Sequence, residues 1–232
     1  MMSGYTGYFV LTILFSIVGM AVSRRLKSKF AHYASQPLRN ARSGAEVAAA
    51  MLHYYGINDV QIVEGQGQLT DHYNPANKTV TLSPEVYRGR HIAAAAVAAH
   101  ECGHAVQHQQ AYAWLQMRST MVPVVSFAAR AQQYLLLFAL GAFGLNGNMT
   151  LILLTIAAFA ITTLFSLVTL PVEFDASRRA LAWLDESQFA QGQEYEGAKD
   201  ALWWAAMTYV VAALSSLVVL IYLLLSLAGN RD

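Results

Sequence analysis

The sequence predicts a mainly α-helical membrane protein, with four transmembrane helices carrying a small α+β unit on the cytoplasmic side. Three observations lead there. The 232 residues are 56% hydrophobic but only 12% charged, with a mean hydropathy of +0.36, whereas soluble domains carry about twice that share of charge. Four segments match the roughly 20 apolar helical residues that a bilayer core requires. Of the 15 Lys and Arg, 13 fall in the two stretches that lie between the first and second or between the third and fourth of these segments. The net charge of +1 leaves no electrostatic footprint for nucleic acid. The single cysteine, Cys102, excludes an intramolecular disulfide framework.

Residues 5–22, "YTGYFVLTILFSIVGMAV", form the first expected span, with no charge before Arg24. No positive stretch precedes this run and no small-residue cleavage site ends it, so it reads as an anchor, not a cleaved signal. Arg24, Arg25, Lys27 and Lys29 follow it. The positive-inside rule therefore places the N-terminus outside and residues 24–118 in the cytoplasm. Residues 119–145 make the second expected span, although Pro123 sits near its start and Arg130 near its middle. A charge at that depth must face protein or reach back to the interface. "GLNGN" (residues 144–148) reads as a tight turn into the third span, residues 149–170. A second cytoplasmic segment, 171–201, and a fourth span, 202–228, complete the chain.

Within residues 24–118, Ser43 followed by Glu46 predicts a capping box, and Gly56 is placed to end that helix. "DVQIVEG" (59–65) reads as a strand, "QGQLTDHYNPANK" (66–78) as turn-rich, and "TVTLS" (79–83) as a second strand. Ser83-Pro84 is the pattern of a helix N-cap and first turn. It predicts one helix over about 84–113 that contains "AAHECGHAVQHQQ".

His100, Glu101 and His104 in that helix spell HExxH. Residues four apart lie about 40° apart around a helix and one turn apart in height, so two imidazoles can converge on one zinc ion at about 2.0–2.1 Å. Glu101 falls beside such a metal, where it can take a proton from a water that the metal acidifies and pass it to a leaving amine. His108 continues the row but lies about 12 Å along the axis from His100, so it is set aside. Gln107 and Gln110 exclude the HExxHxxGxxH pattern. Cys102 points off the histidine face and reads as a packing residue.

A catalytic zinc keeps three protein ligands, so one must come from elsewhere. "LPVEFDASRRA" (170–180) follows the third span and offers Glu173 and Asp175 on the same predicted side of the membrane. The competing reading of Glu173 is an interfacial carboxylate paired with Arg178 or Arg179.

"LTDHYNP", "VTLSPEVY", "AAHECGHAVQHQQAYAWLQMRS", "PVEFDASRRA" and "MTYVVAAL", in this order, resemble the bacterial YugP-like neutral zinc metallopeptidases. The resemblance spans almost the whole chain. It implies a membrane-bound zinc peptidase of the bacterial inner membrane, related to the gluzincins and to HtpX-type proteases, with a zincin-like catalytic unit. It also implies His100, His104 and Glu173 as ligands of one catalytic zinc and Glu101 as general base. The chain departs from the HtpX-type ExxxD pattern at Ser177, which stands where aspartate is expected and leaves Asp175 as the nearest substitute to orient a ligand histidine. Arg178, Tyr209 and His72 are candidate oxyanion donors. By the same resemblance Thr79, Val80, Thr81, Leu82 and Ser83 are the candidate edge strand for extended substrate, with an ordinary core strand as the competing reading.

The expected partners are peptide or membrane-protein substrates, the lipid bilayer, and adaptors or further copies of the chain. Two other classes compete. A site-2-protease-like intramembrane peptidase needs HExxH inside a span and an LDG-type aspartate, which this chain lacks. A non-enzymatic, metal-dependent scaffold would keep the ligands and have no need of Glu101.

Overall fold

In the computed structural model, which describes residues 2–139 and 148–229, the elements run α1 (Met2–Ala34), α2 (Gly44–Tyr54), β1 (Gln61–Glu64), β2 (His72–Asn74), β3 (Thr79–Leu82), α3 (Pro84–Arg88), α4 (Ile92–Gln109), α5 (Ala113–Ala139), α6 (Met149–Glu186) and α7 (Gln193–Gly229). The architecture is mainly helical with one small sheet. Among the described residues three helices are long and apolar enough to cross a membrane, Thr6–Ala34, Met149–Glu186 and Gln193–Ala228. The expected second span is helical as far as Ala139, but α5 is not among those three, and Arg130 lies exposed on it with Nε donating to the Ser126 carbonyl. The expected turn at 144–148 and the end of that span fall outside the described residues apart from Asn148.

The chain divides into two compact units. One comprises Met1–Ala21, Met117–Leu170 and Thr208–Asp232 and is helical wherever it is described, except at Asn148. In it the Thr162 hydroxyl of α6 donates to the Gln132 side chain of α5 at 3.2 Å. Large apolar side chains such as Ile13, Phe127 and Leu225 remain uncovered.

The other unit, Val22–Gln116 with Pro171–Met207, holds the sheet and the histidine motif. The capping box at Ser43 is formed in both directions. The C-terminus of α2 closes as a Schellman turn, with Gly56 at φ +68°, its amide bonded to the His53 carbonyl and the Ile57 amide to that of Leu52. Leu52 and Ile57 both enter the core. Val47, Ala48, Met51 and Leu52 of α2 pack with the alanine-rich face of α4, and Val80 and Leu82 of β3 join the same core.

Two expectations are corrected here. The single helix over 84–113 is broken into α3 and α4 at Gly89, which is extended at φ −61° and ψ 134°. The backbone of 90–92 is engaged elsewhere: the Leu38 amide bonds the Arg90 carbonyl and the Ile92 amide bonds the Gln36 carbonyl, each at 3.0 Å. His91 then caps α4 by accepting from the Ala94 amide. The strand Thr79–Leu82, expected at an edge, is central. The strand order is β1-β3-β2, with β1 parallel on one side and β2 antiparallel on the other. Beyond it the Ser83 amide and hydroxyl are held by Asp71. Thr79, Val80, Thr81, Leu82 and Ser83 therefore have no free row of main-chain groups to offer a substrate.

A further difference concerns α6. It does not end at the expected limit of the third span but continues through Pro171 to Glu186. The segment after the span is thus largely helix.

Candidate metal centre

Helix α4 owes its burial to small side chains. Ala93 to Ala96, Ala98, Ala99 and Ala105 are all nearly inaccessible, so neighbouring elements approach the helix closely from several sides. Gly103 sets the closest approach. A Cβ there would stand 2.6 Å from the Ala176 carbonyl oxygen of α6. Between His100 and His104, the two helices are therefore in backbone contact.

That contact delivers Glu173. Its Oε2 lies 3.3 Å from His100 Nε2 and 3.7 Å from His104 Nε2, and the ligand atoms of the three residues all fall within 4.8 Å of one another. Ligand atoms about 2.0–2.1 Å from one tetrahedral zinc stand about 3.3–3.5 Å apart, and the two distances from Glu173 to the imidazoles are close to that range. The imidazoles meet edge to face, with centroids 4.8 Å apart and planes at 83°. Glu173 is buried, with a side chain 3% exposed against 13% for His100.

The far side of each imidazole is also engaged. His100 Nδ1 lies 3.1 Å from Ser177 Oγ, and His104 Nδ1 lies 3.0 Å from Gln107 Oε1. The Gln107 amide can be oriented from its partners. Its Nε2 faces the Val172 carbonyl at 2.8 Å and Asp175 Oδ2 at 2.9 Å, both acceptors, so Nε2 is the donor and Oε1 must receive a proton from His104 Nδ1. The neutral imidazole then carries its proton on Nδ1, and its Nε2 lone pair faces Glu173, which is the tautomer a metal requires.

The charge around His104 attracts a cation. Burial pushes the His104 pKa down, but the hydrogen bond and charge of Glu173, the charge of Glu101 and the bond to Gln107 outweigh it, so the pKa stands above its ordinary value. Two carboxylates beside buried imidazoles make a pocket of negative charge, which a cation balances. The donor set of two histidines and one carboxylate is one that zinc accepts.

Of the other sequence candidates, Glu101 is buried on α4 next to His100. Asp175 reaches the site through Gln107, not directly, and is held by Arg178 and Arg179. Both arginines pair with Asp175. Arg178 is otherwise exposed, and His72 turns its Nδ1 to the Thr70 carbonyl at 2.7 Å. Tyr209 belongs to the other compact unit. His108 bonds the Tyr73 hydroxyl through Nδ1 at 2.7 Å, and burial raises the Tyr73 pKa to about 12. Cys102 is fully buried, its thiol pKa raised by desolvation, which makes it an inert packing group.

Gln107 and Ser177 are the functional residues that motif reading passes over. Gln107 served only to exclude a longer motif and Ser177 only to mark a missing aspartate. Their spacing was the available signal: Gln107 lies three residues beyond His104 and Ser177 four beyond Glu173, each on the same helix face.

Comparison with known proteins agrees with this geometry. Residues 8–228 match the model of a family described as "Putative neutral zinc metallopeptidase". The chain belongs to this family. It is also 41% identical over 208 residues, 90% of this chain and 91% of the other, to the "Putative membrane protease YugP" of Bacillus subtilis (strain 168). No solved structure matches. Within this metallopeptidase family member, His100, His104 and Glu173 form a group able to hold a metal ion.

Proposed function

We propose that the chain is a membrane-bound zinc metalloendopeptidase in which His100, His104 and Glu173 hold one zinc ion and Glu101 is the general base. One observation carries this reading: two imidazoles, with their Nδ1 atoms engaged by Ser177 and Gln107, direct Nε2 at one buried carboxylate. Zinc held there would acidify a water and polarise a peptide carbonyl. Glu101 takes the proton from the attacking water and gives it to the leaving amine. Ser177 and Gln107 keep both imidazoles in one orientation and one tautomer.

The proposed topology has four crossings, with α5 as the second and the site on the cytoplasmic face of a bacterial inner membrane. The uncovered apolar side chains on α1, α5, α6 and α7 and the placement of Lys and Arg support it. The proposed domains follow from it: a catalytic region at 24–118 and a ligand-bearing segment at 171–201. The name of the relative, a membrane protease, supports a place in a membrane. Substrates would be tails and loops of membrane proteins.

The test compares purified wild type with Glu101→Gln at equal zinc content. The expected result is peptide cleavage by the wild type and loss of about 10²–10⁴-fold in the variant. Equal rates would sink the mechanism. Rescue of a null phenotype by Glu101→Gln would point instead to a scaffold that needs only the ligands. Labelling of cysteines placed in 59–78 from outside intact cells would overturn the topology.

A further inference from the structure

Helix α6 leaves the proposed third span after residue 170, and α7 enters the proposed fourth at residue 202. Both therefore cross one membrane boundary, in opposite directions. Between them, wholly within the unit that carries the histidines, lies a cleft of about 580 Å³. Its lining changes character with depth. Phe174 of α6 and Trp203 and Ala206 of α7 lie at the end nearest the spans, and Arg178 and Lys199 stand farther out. Lys199 comes about 4.5 Å of helix before the fourth span, inside the layer of about 5–8 Å that headgroups occupy on each side of a bilayer core. The long Arg178 side chain can reach back to the same layer. Phe174 and Trp203 keep 38% and 55% of their surface uncovered, where a bilayer presents the upper part of its acyl chains.

The charges around the cleft are unevenly matched. Asp200 borders it, but Lys29 at 2.6 Å and the Tyr33 hydroxyl at 2.7 Å already bind that carboxylate. Lys199 meets Glu196 at 3.7 Å with both side chains more than half exposed, a pairing worth little in water. Asp175 is shared by Arg178 and Arg179, so one positive charge there is unbalanced. The Arg178 side chain is 78% exposed and gives Asp175 only Nη2, which leaves most of its N–H groups for a further acceptor. More cations lie alongside. Arg25 of α1 sits over the Trp204 ring at 5.6 Å, which brings the exposed Arg24 and Lys27 to the depth of the apolar end of the cleft. Among the described residues Arg24, Arg25 and Lys27 are in no ion pair. Basic pockets between membrane helices on the cytoplasmic side suit acidic headgroups. A soluble anion would leave Phe174 and Trp203 uncovered, and a lipid without net charge would leave the cations unmatched.

We infer that this cleft binds one anionic phospholipid, its phosphodiester held by Arg178 and Lys199 and the upper part of an acyl chain laid against Phe174 and Trp203. The inference rests on the membrane placement of α6 and α7. It needs neither the metal nor peptide cleavage.

The experiment uses the full chain in mild detergent with equimolar phosphatidylglycerol and phosphatidylcholine. Mass spectrometry reads the lipid that the protein retains after detergent exchange. A basic side chain near a membrane surface favours acidic lipid by roughly fivefold, so two of them are expected to retain phosphatidylglycerol about tenfold or more over phosphatidylcholine. Arg178→Gln combined with Lys199→Gln should bring that ratio to within about twofold of unity, with an unchanged thermal midpoint. Arg42→Gln combined with Lys78→Gln removes the same charge outside the cleft lining and should leave the wild-type ratio. Neither glycerophosphoglycerol, the same headgroup without acyl chains, nor inorganic phosphate should displace the retained lipid. A wild-type ratio near unity, or one that survives in the Arg178 and Lys199 variant, would overturn the inference. So would an equal fall in the Arg42 and Lys78 variant, which would mark a general surface charge effect. Displacement by inorganic phosphate would overturn it too, in favour of a site for soluble anions. Recovery of the chain in the soluble fraction of cells would instead refute the membrane placement itself.

Discussion

Replacing Gln107 by methionine tests the centre at its most determined point. The substitution nearly conserves volume at a side chain with no exposed surface, so packing changes little and the loss is polar. Three contacts disappear, at 3.0, 2.8 and 2.9 Å. They are unequal. The Val172 carbonyl lies within helix α6, and Asp175 keeps both arginines. His104 Nδ1–H is the group left buried without its acceptor, which costs about 1–3 kcal/mol of stability. Loss of a group that orients a ligand histidine lowers metal affinity about 10–100-fold, equivalent to roughly 1.4–2.7 kcal/mol. Zinc affinity, measured by competition with a chromophoric chelator, should fall by that factor. The d–d spectrum of the cobalt-substituted protein should change with it, which destabilisation elsewhere would not cause. Zinc affinity within about twofold of wild type would refute the assignment of the His104 tautomer and the reasoning built on it.

Three further outcomes follow from the same geometry. His108→Ala should leave zinc affinity within about twofold of wild type by the same competition assay, because its Nδ1 serves Tyr73 and it lies beyond the converging pair. Removing zinc with a chelator should lower the thermal midpoint of wild type, since an ion bound only to the folded state contributes about 2.7 kcal/mol at a hundredfold excess over Kd; Glu173→Gln should start low and show no chelator effect. Gly103→Ala puts a methyl group 2.6 Å from the Ala176 carbonyl and should cost about 1–3 kcal/mol in denaturant titration, with zinc affinity falling as Glu173 is pushed from the histidines. Retention of wild-type zinc affinity in Gly103→Ala would mean that the helix contact does not position Glu173.

What could be read from sequence was what depends on neighbours along the chain. The capping box at Ser43 and Glu46 and the stop at Gly56 involve residues within a few positions of each other, and both form as expected. HExxH is legible for the same reason, since helical spacing alone brings His100 and His104 together. The sheet was less legible. β2 is three residues long and lies inside a stretch dominated by turn formers, too short to show alternation. Without it, β3 looks like an edge when it is the centre. The break between α3 and α4 depends on pairing of 90–92 with 36–38, about fifty residues earlier in the chain, and helix propensity cannot register that. The length of a membrane span set the expected limit of the third segment at residue 170, yet α6 continues through Pro171 to Glu186. The position of Ser177 was visible, but not that a serine could meet His100 Nδ1 there.

The departures from the HtpX-type pattern form one connected arrangement. Where that pattern has an aspartate four residues after the ligand glutamate, this chain has a serine, which leaves His100 with an uncharged partner. The carboxylate is instead displaced two residues, to Asp175, and the amide of Gln107 bridges it to His104. Gln107 reaches both because Gly103, one turn earlier on α4, allows α6 to approach to backbone contact. The arginines that fix Asp175 lie on the same helix as Glu173, so the ligand and its support move as one rigid piece. A glycine, a glutamine and a displaced aspartate are therefore interdependent. Changing Ser177 to aspartate alone would add a second buried carboxylate beside Glu173 without removing the Asp175 route. The added carboxylate has to be desolvated beside Glu173, which disturbs the donor group, so zinc affinity should fall, not rise, in the chelator competition. A gain in affinity for Ser177→Asp would show that the two routes act independently.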